Sequence, residues 1–335
     1  MSEKKRGVRS TFNPDGLRKS GFAAVETDYV GATLTKTGQA RIMQIAFHIG
    51  ANCTDEDRLL KSILKNADTL LQQGISVPGP SRYRRLLRET IQNLGADRPA
   101  PDTRDILIDA IVEDDSVSRI VLSNDNFICI PKRIFDHGMV YPQAEHKVRG
   151  LHRLFPDDEI ALFLSIRNPV TFLQETFQRA QAADLETYLG FQQPSDLNWS
   201  DVIARIKSGA PDSPLTVWCH EDSPLLWEDL IRAQSGVALD TQMLGGLDQI
   251  GDLLSPDGQA KLREALNNTA TTETLTRQEI IANIWEQHGL DDAVDYEIEL
   301  PGFTPSVITA LTEQYERDLE KIDAMEGVEL LLPFR

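Results

Sequence analysis

From residue 42 onward, short apolar runs alternate with longer segments in which apolar residues recur every three or four positions. The first run is IMQIAFHIG, residues 42–50, mostly apolar and closed by a glycine. Such a run predicts a strand covered on both faces. TDEDRLLKSILKNADTLLQQG follows, with Leu59, Leu60, Ile63, Leu64, Ala67, Leu70 and Leu71 at helical spacing. The spacing predicts one helix that starts at Thr54 as N-cap, carries Asp55, Glu56 and Asp57 in its first turn, and stops at Gly74. ISVPGP reads as a second short strand and a turn.

The alternation continues. Residues 83–94, 104–111, 143–155, 170–183 and 225–233 read as helices, and RIVLS (119–123), EIALFLSI (159–166) and LTVWC (215–219) as strands. Strands separated by helices of this length predict an α/β fold with a mainly parallel sheet flanked by helices. Ligands of such sheets sit beyond the carboxyl ends of the strands. That directs attention to residues 50–54, 123–126 and 167–169. After about residue 236 the expected strands stop, and SPDGQAKLREALN, RQEIIANIWEQHG and TPSVITALTEQYERDLEKIDAM predict three helices, a helical C-terminal part of the same domain. Residues 1–40 show no sustained period and read as a loosely packed arm, leaving residues 41–335 as a single domain.

Composition adds limits. Of 335 residues, 34 are Lys or Arg and 52 are Asp or Glu, so the formal net charge is −18. This balance argues against nucleic acid or an anionic membrane surface as a broad electrostatic partner. No apolar run is long enough to span a bilayer, and no apolar stretch follows the basic MSEKKRGVRS start as in a secretory signal. Cys53, Cys129 and Cys219 are odd in number and dispersed, the usage of reduced thiols in the cytoplasm rather than of a disulfide framework or zinc site. No metal site is expected. Trp199, Trp218, Trp227 and Trp285 are scattered, as core residues would be.

A strand, a tight turn and a helix over residues 42–71 is the arrangement by which P-loop proteins hold phosphate. A P-loop kinase or NTPase is disfavoured, because GxxxxGK[ST] is absent. The chain resembles instead the bacterial P-loop sulfotransferases, in which the first strand ends in a pattern like HIGxxKTGTT; here it reads HIGANCTDED. A later strand of that family ends in RxP with a Ser eight positions after the Arg, and this chain has SIRNPVTFLQE. LLSPDGQAKLREAL resembles the family's LSxEG helix start, and YERDLEKIDAMEGVELLLP its closing helix.

The resemblance implies 3′-phosphoadenosine 5′-phosphosulfate as donor, held by Gly50, Asn52, Cys53, Thr54 and Arg167. It also implies a base near the acceptor, with Asp125 in VLSNDNF as the candidate and His48 as a weaker one. NDN is equally an ordinary turn, and His48 an ordinary strand-end residue. Three departures follow from the same alignment. Cys53 stands where the family has its Lys, acidic residues 55–57 follow Thr54, and Glu175 replaces the Ser. Carboxylates close to a phosphate repel it by about 1–4 kcal/mol each, depending on the local dielectric. The expectation is therefore a sulfotransferase-like protein with a degraded donor site, acting as a non-catalytic binding or regulatory protein for a small molecule or another protein. The alternative is an active sulfotransferase on a hydroxyl-bearing acceptor.

Three further groups have two readings each. Cys53 is either a packed plain thiol or a reactive one. Arg82, Arg84, Arg85 and Arg88 either hold an anionic group or form a solvated helix face, which the charge pattern favours. His220 and Glu221 either face the cleft or belong to a strand-to-helix turn.

Overall fold

The computed structural model describes residues 41–95, 97–190, 192–290 and 297–335. The arm expected over residues 1–40 lies outside the described residues. Six strands form one parallel sheet: β1 (Gln44–His48), β2 (Ile75–Ser76), β3 (Arg119–Ser123), β4 (Glu159–Ile166), β5 (Leu215–Cys219) and β6 (Val328–Leu331), in spatial order β2-β3-β1-β4-β5-β6. The expected α/β architecture is thus the observed one. The strands predicted over 119–123, 159–166 and 215–219 appear with those bounds.

Thirteen α-helices are described: α1 (Arg58–Leu64), α2 (Ala67–Gln72), α3 (Pro80–Leu94), α4 (Thr103–Ile111), α5 (Ala144–Leu154), α6 (Pro169–Ala180), α7 (Leu185–Tyr188), α8 (Trp199–Gly209), α9 (Ser223–Ser235), α10 (Asp248–Leu253), α11 (Pro256–Asn267), α12 (Thr274–His288) and α13 (Pro305–Asp323). Alternation along the strands sorts the core into two layers. Ile45, Phe47, Ile120, Leu122, Leu162 and Leu164 pack on one face with residues of α3–α6, α8 and α13. Ala46, Val121, Phe163 and Trp218 pack on the other with α1, α2 and α9. Both faces are covered, which is why the strands read as apolar runs rather than as an alternation.

Three expectations are corrected. The helix predicted from Thr54 begins only at Arg58, and Asp55, Glu56 and Asp57 lie in the preceding turn. Cys53, Glu56 and Asp57 have φ of 59°, 50° and 65°, a left-handed backbone that an α-helix of L-residues excludes. The same helix breaks at Asn66, whose side-chain amide donates to Leu244 O (3.0 Å) and accepts from Leu244 N (2.7 Å). That long-range pair holds the residue between α1 and α2. The C-terminal part is also not wholly helical. α13 ends, Gly327 turns at φ 70°, and residues 328–331 add β6 to the open edge of β5.

Candidate functional site

The three segments singled out beyond the strand ends do converge. β1 lies between β3 and β4, with His48 level with Ser123 on one side and Phe163 on the other. The chain leaves β1 for α1, α2 and β2 toward one sheet edge and leaves β4 for β5 toward the other. The crevice between those exits is where an α/β sheet accommodates ligands.

The turn after β1 first continues beside β4. Ser165 N donates to Gly50 O (2.8 Å), and Ala51 N donates to Ser165 O (2.8 Å). Gly50 has φ 128°, and a Cβ there would stand 3.2 Å from Asp125 O, so both backbone shape and space call for glycine. Asn52 is fully buried. Its N donates to Tyr141 Oη (3.0 Å), Tyr141 Oη donates to Asn52 Oδ1 (2.8 Å), and Asn52 Nδ2 donates to Asn126 Oδ1 and Cys129 O. Thr54 Oγ1 donates to Ala51 O at 2.7 Å. The turn's polar side chains therefore bond the protein itself.

Three carboxylates follow, each with a different partner. Asp55 Oδ2 accepts from Leu59 N (3.2 Å), Glu56 Oε1 from Arg179 Nη2 (3.3 Å), and Asp57 takes both arms of the Arg84 guanidinium (2.5 and 3.0 Å). Among the described residues no group of three His, Cys, Asp or Glu is placed to hold a metal ion.

Arg167 follows the last residue of β4, two positions before α6 begins. Asn168 caps that helix by accepting from Val170 N (3.0 Å), and Pro169 is its first residue. Placed there, Arg167 is 4 % exposed and reaches back across the crevice: Nη1 donates to Cys53 O (2.7 Å), Nε to Thr171 Oγ1 (3.1 Å), and Glu175 Oε1 lies 3.7 Å from Nη2. The arginine cluster divides. Arg82, Arg85 and Arg88 pair with Glu113 and Glu89 on the exposed face of α3, as expected. Arg84 instead turns to the crevice, where Nε and Nη2 also donate to Ser123 O (2.9 and 2.8 Å).

Burial sets the acid–base character. It raises the carboxyl of Asp125 to about 6, helped by the negative charges of Asp55 and Asp57. Asn126 Nδ2 donates to Asp125 Oδ1 (2.6 Å), so the NDN turn and the raised carboxyl coexist. Burial likewise raises the Cys53 thiol to about 11, despite Arg179 and Arg167 nearby, which is the behaviour of a plain thiol and not of a nucleophile.

His48 is buried against Trp218 (ring centroids 5.5 Å). Its Nδ1 shares a 2.9 Å hydrogen bond with Ser123 Oγ, its Nε2 is buried without a hydrogen-bond partner, and desolvation by burial lowers its pKa. At the end of β5, His220 falls to about 3 through burial and then Arg167 and Arg58. Glu221 Oε1 accepts from Asn168 N (2.8 Å), and Asp222 is raised to about 7 by burial and then Glu221. These residues form a 3₁₀ turn into α9 that also borders the Arg167 strand end.

Sequence reasoning missed two residues of the site, Tyr141 and Arg179, and assigned Arg84 to solvent. Arg84 carried one signal, its place at the start of a helix that follows a strand. Tyr141 carried none.

No family model matches the chain, and no curated protein matches it. Among solved structures, the sulfotransferase domain of the Synechococcus PCC 7002 olefin synthase is similar, with 14 % identity, a TM-score of 0.37, and coverage of 85 % of this chain and 98 % of that one. No helix among the described residues is long and apolar enough to cross a membrane.

Proposed function

We propose that this chain is a sulfotransferase-like protein whose phosphosulfate-donor site is occupied by its own side chains. On this reading it acts as a binding or regulatory protein with a small-molecule or protein partner. The observation that carries the reading is the state of Arg167. Its guanidinium is buried, bonded to Cys53 O at 2.7 Å, and has Glu175 at 3.7 Å. Thr54 Oγ1 is bonded to Ala51 O, and a thiol stands where a cationic side chain would balance a phosphosulfate. The residues present do not fit the donor, so no catalytic step through it follows.

One observation favours a second reading as an active sulfotransferase on a hydroxyl-bearing acceptor. Asp125 is raised to about 6, the range in which a carboxylate serves as general base near neutral pH.

Thermal unfolding with 3′-phosphoadenosine 5′-phosphate separates the two. A ligand at 100 times its Kd stabilises by about 2.7 kcal/mol, and each kcal/mol moves the midpoint by roughly 2–4 °C in a chain of about 150–250 residues and by less in a longer one such as this. The expected result is no dose-dependent shift at millimolar ligand. A rise of several degrees would overturn the first reading in favour of the second.

A further inference from the structure

In a chain of net charge −18, three arginines from three separate places converge on the turn after β1. Arg84 comes from α3, Arg167 from the end of β4, and Arg179 from α6. Each meets a group of the chain itself. Arg84 holds Asp57 with both arms, Arg167 holds Cys53 O beside Glu175, and Arg179 holds Glu56. The forked Arg–carboxylate pair matches, in geometry and charge, the pair a guanidinium makes with a phosphate.

Asp57 is the most informative of these partners. It occupies the N-cap position of α1, where an aspartate ordinarily accepts from the helix's own N–H groups. Here it makes no such bond, its backbone is left-handed at φ 65°, and its carboxylate is aimed at Arg84. A left-handed non-glycine residue is a costly conformation that its surroundings must hold in place. The two-armed Arg84 contact fixes its side chain. The pair is reachable, with side-chain exposures of 25 % for Arg84 and 35 % for Asp57.

We propose that Asp57 is a latch on a masked anion site: its carboxylate occupies the Arg84 guanidinium in place of an external phosphate or pyrophosphate group, and its release opens the turn to that class of ligand. This rests on the reading that the chain's own groups fill the donor site. It names the contact that closes the site and the chemistry that would enter it.

The test is isothermal titration of inorganic pyrophosphate into the full chain and three variants. Asp57→Asn removes the charge while keeping a residue tolerant of the left-handed region. Asp57→Gly removes the side chain and adopts that φ without steric cost. Removing one carboxylate at about 4 Å from an incoming anion lifts a repulsion worth about fivefold or more in affinity. Both variants are expected to bind pyrophosphate at least about fivefold more tightly than the wild type. The gain should be lost in Asp57→Asn/Arg84→Gln.

If either single variant folds, shown by its thermal midpoint, and binds no more tightly than the wild type, the latch is overturned. So it is if the gain survives without Arg84. Wild-type binding of 3′-phosphoadenosine 5′-phosphate marks the failure of the underlying reading, whereas a wild type silent toward that nucleotide together with silent variants marks failure of the latch alone.

Discussion

Asp125 shows how one residue's surroundings become a property of the whole chain. Its ordinary value is 3.8, and in the folded protein it is raised to about 6 by burial first and then by Asp55 and Asp57. A raised carboxyl holds its proton more tightly in the folded state than in the unfolded one. Folding is therefore unopposed by this group below its unfolded value, and loses stability as pH rises from about 4 to about 6. Asp125→Asn keeps the Oδ1 acceptor for Asn126 and removes the titration. The variant is expected to match the wild type near pH 3.5 and to exceed it at pH 7 by about 1–2 kcal/mol, reduced by partial solvent screening. Urea midpoints of both proteins across that range check it, and a constant difference would contradict the assignment. Cys53 gives the complementary case: a thiol held near 11 stays protonated at neutral pH, so the turn carries no thiolate.

At the scale of elements, the site depends on how closely the helices approach the sheet and one another. α5 and α8 pack side by side at Gly209, where an added Cβ would stand 2.6 Å from Glu145 O and 3.1 Å from Arg149 N. Both neighbours are backbone and cannot rotate away. Gly209→Ala is expected to force α8 off α5 and to cost about 1–3 kcal/mol, the range of an overpacked core. Its denaturant midpoint should fall at unchanged secondary structure content. α8 also carries Trp199, whose Nε1 donates to Arg167 O at 2.7 Å. The same shift would therefore reach the crevice.

For the molecule as a whole, the excess of 52 acidic over 34 basic residues is the dominant long-range term. Self-repulsion of a net charge of −18 opposes the compact state. Raising ionic strength from about 0.01 M to about 0.15 M shortens the screening length from about 30 Å to about 8 Å. The thermal midpoint is expected to rise over that interval. A fall would mean that the surface ion pairs, such as Lys65–Asp248 and Arg335–Asp323, outweigh the net repulsion.

What the sequence by itself determined is what short-range pattern controls. Strands covered on both faces must be apolar throughout, so β3, β4 and β5 were legible to the residue, and the alternation of strands with helices already required a parallel sheet. The glycine at 50 was likewise written locally. Only the tertiary structure decided where polar groups found partners. Asp55, Glu56 and Asp57 suit a helix start by composition, yet they lie in a turn before α1 in which Glu56 and Asp57 are left-handed and pair with the arginines of α6 and α3. Asn66 is taken out of a helix by Leu244, and Asn52 is sealed by Tyr141, 89 positions away. β6 exists because the edge of β5 offers unpaired backbone groups to a segment that would otherwise read as the tail of a helix. Apolar spacing is a property of neighbouring residues, whereas a charge or an amide is satisfied by whichever group the fold brings within about 3 Å.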